Sequence, residues 1–346
     1  MMQDKESRVI ERRYQKLLSK KTLLSKLDEI IPWDEFRPLL EKIYDKPRKS
    51  NAGRKPIDVI VMLKMLVLQQ LYNISDEELE YQVNDRLSFM KFLGLTWFDS
   101  VPDATTVWLF RKQLTDRGLI EELFAKFDEY LRAQGYQAKG GQVVDATIIP
   151  VPRQHNSKEE KEQLEQGKIP VSWQQKPHRL AQKDLDARWT KKNNQSYFGY
   201  KNHINIDVDY GFVRRYEVTD ASVHDSQVLG ALLDDENEGS GIWADSAYRS
   251  KLIESVLKIL KFLSHINERA YRNHPLTEIQ IEANRQRSKI RAKVEHVFGN
   301  WVNSMGGKLM RSIGMSSMKA TVGLKNLVYN FKRYVFWEGQ NGKQVG

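Results

Sequence analysis

The stretch "QVVDATIIPV", residues 142–151, is a run of β-branched and apolar residues with one carboxylate, Asp145, set in its middle. Val143, Val144, Ile148, Ile149 and Val151 suit a strand covered on both faces. Burying a lone carboxylate among them costs on the order of several kcal/mol unless something pairs with it. The charge at Asp145 therefore asks for a partner, and the strand marks the point where the chain changes character. Upstream of Gly140 the apolar spacing is helical; downstream it alternates.

Outward toward the amino end, Leu17, Leu24, Leu27 and Ile31, then Leu39, Leu40 and Ile43, recur at helical spacing. "KPRKSNAGRKP" at 46–56 has five cations, two prolines and a glycine, the composition of a loop or linker. An apolar helix is expected from Ile57, carrying Lys64 at its centre. Ser75 with Glu78 makes a capping box for a further helix running to about Leu93 and stopped by Gly94. Asp103 is placed to cap another, which carries Arg111 and Lys112. A basic second helix raises the question of a helix-turn-helix. The connection is longer than the usual three or four residues, which favours an ordinary helical bundle.

Toward the carboxyl end, residues 153–196 are polar and poor in β-branched side chains, and are expected to form a long excursion of loops with one helix at most. Two alternating runs then flank Asp209-Tyr210-Gly211, a hairpin signal. A helix at "VHDSQVLGALLDD", a short strand at "GIWADS", a helix at "KLIESVLKILK", a strand at "FLSHIN" and a long helix through "NRQRSKIRAKVEHVFG" come next. One last helix is expected from about Ser316 to Tyr334. Hairpins give antiparallel neighbours, and β-α-β steps add parallel strands through crossover helices. The expectation is an α/β domain, a mixed sheet flanked by helices, preceded by an all-helical domain.

Composition narrows the class of partner. The 346 residues hold 55 lysines and arginines against 45 acids, a formal charge of +10, which suits a polyanion such as nucleic acid. There is no cysteine, so disulfides and thiolate zinc sites are excluded. The seven histidines show no zinc-protease pairing. No signal-peptide pattern is visible at the start, and "IDVIVMLKMLVLQQL" is too short to span a bilayer. A cytoplasmic, nucleoid-associated protein with no membrane partner is expected.

Three carboxylates occupy telling places: Asp145 on the first strand, Asp245 where a later strand turns out, and Glu295 on the long helix. In open α/β sheets the binding crevice lies outside strand carboxyl ends. Hard oxygen donors without sulfur or convergent histidine fit Mg²⁺ or Mn²⁺. Two such ions about 3.5–4 Å apart clamp the attacking and leaving oxygens of a phosphoryl displacement. Each acid also has a plainer explanation: a satisfied core group, an Asx turn, or a helix-surface pair between Glu295 and Arg291. Arg285, Arg287, Lys289, Arg291 and Lys293 precede Glu295, and Arg287, Arg291 and Glu295 share a face at helical spacing.

The motifs "VVDATIIP", "FGYKNHINID", "VTDASVHDSQVL", "WADSAYRS" and "RAKVEHVFG", in this order, closely resemble the DDE transposases of bacterial insertion sequences, in the group named for insertion sequence five. The resemblance covers nearly the whole chain. It implies a ribonuclease-H-like fold and a catalytic triad of Asp145, Asp245 and Glu295 holding two Mg²⁺ ions, with Mn²⁺ able to substitute. It matches Arg291 to the arginine three residues before the family's glutamate. The signature's tyrosine falls on Ser288 and its lysine on Val302, with Lys308 nearby.

The domains expected on this basis are a helical DNA-binding or oligomerisation domain at 1–136, a catalytic domain at 137–310, and a carboxyl-terminal helix and tail at 311–346. Arg188, Trp189, Lys191, Lys192 and Lys201, with Arg287, Arg291 and Lys308, are the candidate DNA contacts; Trp189 suits stacking on an unpaired base. The expected partner is double-stranded DNA, transposon ends and target, handled by a dimer or higher assembly. The expected activity is metal-dependent strand cleavage and transfer at terminal inverted repeats. An inactive DNA-binding relative and a general metal-dependent nuclease are the alternatives. Asp145 is expected to be poorly compensated when no metal is bound.

Overall fold

The computed structural model describes residues 9, 11–13, 15, 16, 19–44, 56–272 and 274–344. Leu17 and the basic stretch at 46–55 lie outside the described residues. The chain divides into two compact units, 1–130 with 304–306 and 324–346, and 131–303 with 307–323.

The first unit is helical. Its helices are α1 (Leu23–Ile30), α2 (Arg37–Glu41), α3 (Val59–Tyr72), α4 (Asp76–Asp85), α5 (Leu87–Leu93), α6 (Ala104–Asp116) and most of α7 (Leu119–Ala133). Asp58, Ser75 and Asp103 cap α3, α4 and α6 through side-chain oxygens that accept from backbone N–H groups. The helix expected to run unbroken to Leu93 is interrupted at Arg86, whose backbone is extended and whose guanidinium lies over the Tyr72 and Phe89 rings. Gly94 then ends α5 at φ 72°, a left-handed conformation that glycine takes without cost. Lys64 is satisfied inside the apolar helix by Asp28 at 2.6 Å and by the faces of Trp33 and Phe92. Arg111 forms a fork onto Asp76, both bonds at 2.7 Å, tying α6 to α4, and Lys112 pairs with Asp116. The arginine of the basic helix is thus engaged inside the bundle, on Asp76 and Gln69.

The second unit is built on β1 (Gln142–Pro150). After it come α8 (Lys158–Glu165), α9 (Val171–Gln174), α10 (Pro177–Ala181), β2 (Arg188–Lys192), β3 (Gln195–Asp207), β4 (Val213–Asp220), α11 (Leu229–Leu232), β5 (Gly241–Trp243), α12 (Lys251–Ile259), β6 (Leu263–Ser264), α13 (Glu278–Arg291) and α14 (Glu295–Ser304). α15 (Met315–Gln344) begins in this unit, belongs to the first from residue 324 onward, and runs ten residues beyond its expected end at Tyr334. β1 pairs antiparallel with β3, which pairs antiparallel with β4; β5 lies parallel to β1, and β6 parallel to β5. The order β4-β3-β1-β5-β6, with β1 central and β2 also paired to β3, makes one six-stranded mixed sheet flanked by helices. Val144 packs one face of β1 into a core with Val228, Leu229, Ile242, Tyr248, Leu257 and Ile266.

The excursion at 153–196 is more ordered than its composition suggested. Its helices, of four to eight residues, are too short for an apolar stripe, and they gather around Trp173, fully buried, whose indole N–H donates to Glu160 at 2.7 Å. β2 then forms a hairpin with β3 through Asn193 and Asn194, both at positive φ (51° and 61°), so Trp189 stands on a strand and not in a loop. The long helix around Glu295 is also broken: a 3₁₀ turn at Ala292–Val294 separates α13 from α14. The helix expected at 223–235 contracts to a 3₁₀ turn at Asp225–Gln227 and the four-residue α11.

Candidate active site

Asp145 sits at the middle of the central strand, 8% exposed. Its Oδ1 accepts from the Ala146 N–H at 2.7 Å, and its Oδ2 accepts from Arg291 Nη1 at 3.0 Å. These contacts compensate it only in part. Burial pushes the carboxyl up to about 6 against the pull of Ala146 and Arg291, and the charges of Asp245 and Glu295 push the same way. Asp145 therefore lies in the field of both Asp245 and Glu295.

Asp245 follows β5 by two residues. Its Oδ1 accepts from the Ala247 N–H at 2.8 Å, capping the 3₁₀ turn Ser246–Tyr248, and the side chain is half-buried. The Asx-turn reading and the strand-end reading are thus both true of it. Glu295 is exposed at the start of α14, directly after the 3₁₀ break, and the break packs against β1. A 3₁₀ turn advances about 120° per residue against about 100° in an α-helix, so it rotates α14 relative to α13. Arg291, on the last turn before the break, pairs with Asp145 rather than with Glu295.

Lys308 joins this group. Its Nζ donates to Thr147 Oγ1 at 2.7 Å and lies 5.2 Å from the centre of the Phe298 ring. Thr147 is two residues after Asp145 and so on the same face of β1, a position that carries no sequence signal of its own. Burial lowers the amine from its ordinary value, Glu295 and Asp145 raise it, and Lys192 lowers it. Val302, where the signature lysine falls, is 51% exposed. At the tyrosine's position, Ser288 accepts through its hydroxyl from Asn267 Nδ2 at 3.1 Å, beside the end of β6.

The remaining candidates are less alike. Lys191 and Lys192 are exposed on β2. Trp189 is 51% exposed, packed beside Phe198 with the Arg153 guanidinium 5.6 Å from its ring centre. Arg188 turns its Nη1 onto the carbonyls of Leu185 and Ala187. Arg287 does not continue the stripe toward Glu295; it lies 3.5 Å from Glu268 and donates to the Ile266 carbonyl. Lys201 pairs in register with Ile148, three residues from Asp145, and so projects from the opposite face of the sheet. There its Nζ donates to Asp225 at 2.8 Å and to the Val223 carbonyl. His224 caps the turn at Asp225–Gln227 by accepting from the Ser226 N–H.

The donor set suits a hard divalent cation: carboxylate oxygens, one of them buried and under-compensated. In this conformation Arg291 takes one Asp145 oxygen, and among the described residues no three acidic or histidine side chains converge at ligand spacing. Among the described residues no helix is long and apolar enough to cross a membrane.

Residues 12–113 match the family described as Transposase domain (DUF772), and residues 136–331 match the family described as Transposase DDE domain. The cryo-EM structure of the piggyBac transposase synaptic complex with hairpin DNA is similar over 94% of this chain and 77% of that chain, at 11% identity and a TM-score of 0.46. The DDE match spans more than half of the residues, from just before β1 into α15, and the chain belongs to the DDE transposase family.

Proposed function

We propose that this DNA transposase recognises the terminal inverted repeats of an insertion sequence, cuts the strand at each end and joins the exposed 3′-hydroxyl to target DNA. The observation that carries the proposal is the under-compensated Asp145 carboxyl, buried on the central strand in the field of Asp245 and Glu295 and flanked by Arg291 and Lys308.

On this reading Asp145, Asp245 and Glu295 hold two Mg²⁺ ions, with Mn²⁺ able to substitute. Bound there, the cations supply Lewis-acid activation of the attacking oxygen and stabilisation of the leaving one. Asp145 contributes rigidity, since its backbone is paired in register with Ile204 of β3. Asp245 is oriented by the turn it caps, and Glu295 by the helix that starts with it. Arg291, Lys308 and Lys192 bring positive charge to where a phosphodiester must approach. In the first step water adds to phosphorus and the 3′-oxygen leaves as a hydroxyl. In the second, that hydroxyl adds to a target phosphorus and displaces a target 3′-hydroxyl. Two ends must be handled together, which calls for a dimer or higher assembly on DNA.

Asp145→Ala, Asp245→Ala and Glu295→Gln are each expected to lose Mg²⁺-dependent cleavage of end DNA by at least about a hundredfold while retaining end binding in a gel-shift assay. Full cleavage by any one of them would refute the triad. Equal cutting of DNA lacking the ends would favour a general nuclease instead.

A further inference from the structure

Lys201 is a cation that the proposed mechanism leaves unused, and its surroundings differ from those of the exposed lysines on β2. It stands opposite Ile148 and projects from the face of the sheet away from Asp145. Its side chain is only 12% exposed, and Nζ donates twice, to the Val223 carbonyl at 2.7 Å and to Asp225 Oδ1 at 2.8 Å. His203, fully buried two residues further along β3 and on the same face, brings Nδ1 to 3.9 Å from that same Asp225 oxygen. Both acceptors of Lys201 lie on the connection between β4 and α11, so one amine ties that connection to the sheet.

The connection leads to the second aspartate of the site. Its 3₁₀ turn Asp225–Gln227 packs against the 3₁₀ turn Ser246–Tyr248, which Asp245 caps. Val228, directly after the first turn, and Tyr248, the last residue of the second, are buried in one core with Val144 of β1. The pairing of β1 with β5 ends at Trp243, so Asp245 takes its orientation from the turn it caps and from what packs behind that turn. We propose that Lys201 is a positioning residue for Asp245, fixing through Val223 and Asp225 the turn on which the Asp245 turn rests. The inference rests on the carboxylate site proposed above, and it takes Lys201 out of the set of DNA contacts. Loss of a support outside the ligand set typically weakens metal binding by about 10–100-fold. A lysine bonded inside the protein neutralises no phosphate, so its removal leaves the salt dependence of DNA binding as it was.

The test uses the full-length chain with Lys201→Met, which keeps most of the side chain and removes the amine. A second variant, Lys201→Met with Asp225→Asn, also neutralises the carboxylate that the first leaves without its partner. Two quantities are read. One is Mn²⁺ affinity, from the electron paramagnetic resonance signal of free Mn²⁺, titrated below the melting temperature of each variant. The other is the slope of log affinity for end DNA against log salt, measured in chelator. The proposal expects Mn²⁺ binding roughly tenfold weaker in both variants with the slope unchanged. Parental Mn²⁺ affinity in the double variant overturns it, marking the ion pair as a support of the fold alone. A slope shallower by about 0.9 also overturns it, marking Lys201 as a phosphate contact. Asp245→Asn separates the two levels of inference. If that variant binds Mn²⁺ as the parent does, the carboxylate site itself is wrong; if it loses Mn²⁺ while the Lys201 variants retain it, only the role of Lys201 fails.

Discussion

At Asp145 the folded protein carries a buried charge that costs it stability. The folded carboxyl titrates near 6, above its value in an unfolded chain, so between about pH 4 and 6 the folded state holds the proton that the unfolded state has lost. Stability attached to this group is therefore complete at low pH and is lost as pH rises through 6, by on the order of 2–3 kcal/mol. Asp145→Asn, a neutral isostere, should match the parent near pH 4 and exceed it at pH 7.5 by that amount, both in chelator. Urea unfolding at the two pH values checks it, and a variant no more stable at pH 7.5 would show Arg291 to compensate the charge in full. The oddity of this carboxylate was legible from its apolar neighbours alone. The direction of Lys201 was not: alternation assigns it to the opposite face only once Ile148 is known to be its partner.

Elements were legible where they bury a face and obscure where they do not. β1, the β3–β4 hairpin and the capped helices declare themselves through periodicity and caps, because tertiary burial selects those patterns. α8, α9 and α10 are short and polar and are organised by Trp173 and Glu160, whose contact periodicity cannot encode. The 3₁₀ break at Ala292–Val294 is equally silent, since nothing in "RAKVEH" forbids a continuous helix. The β2–β3 turn did carry a signal, Asn193-Asn194, because asparagine takes the left-handed region more readily than most residues. Asn193→Val places a β-branched residue there and should cost about 1–2 kcal/mol locally. Amide exchange across residues 188–199 should quicken by roughly tenfold, whereas Asn194→Gly should leave it slow. Equal protection in both variants would contradict the turn, and with it the way Lys191 and Lys192 are presented.

Over the whole molecule, the first compact unit is discontinuous in sequence, and this governs how it can be dissected. Phe331, fully buried on α15, meets Trp33, Phe36 and Phe127 with ring centres 5.6, 5.7 and 4.7 Å away. Tyr334 adds edge contacts to Phe127 and Tyr130. Residues from the carboxyl-terminal helix thus complete a core whose other walls lie within the first 130 residues. The spacing of "NLVYNFKRYVF" shows an amphipathic helix but not which apolar face it meets, because partner choice is a property of the folded topology. Two consequences can be measured together. Phe331→Ala should destabilise the first unit by about 3–5 kcal/mol through loss of ring contacts and the cavity left behind. A fragment of residues 1–130 alone should show helical far-ultraviolet dichroism without a cooperative melt, since its aromatic cluster lacks its centre. Linking residues 324–344 to that fragment should restore the cooperative transition. A sharp melt for 1–130 by itself would mean that the aromatic cluster closes without Phe331, and that the helix is an attachment rather than a wall of the core.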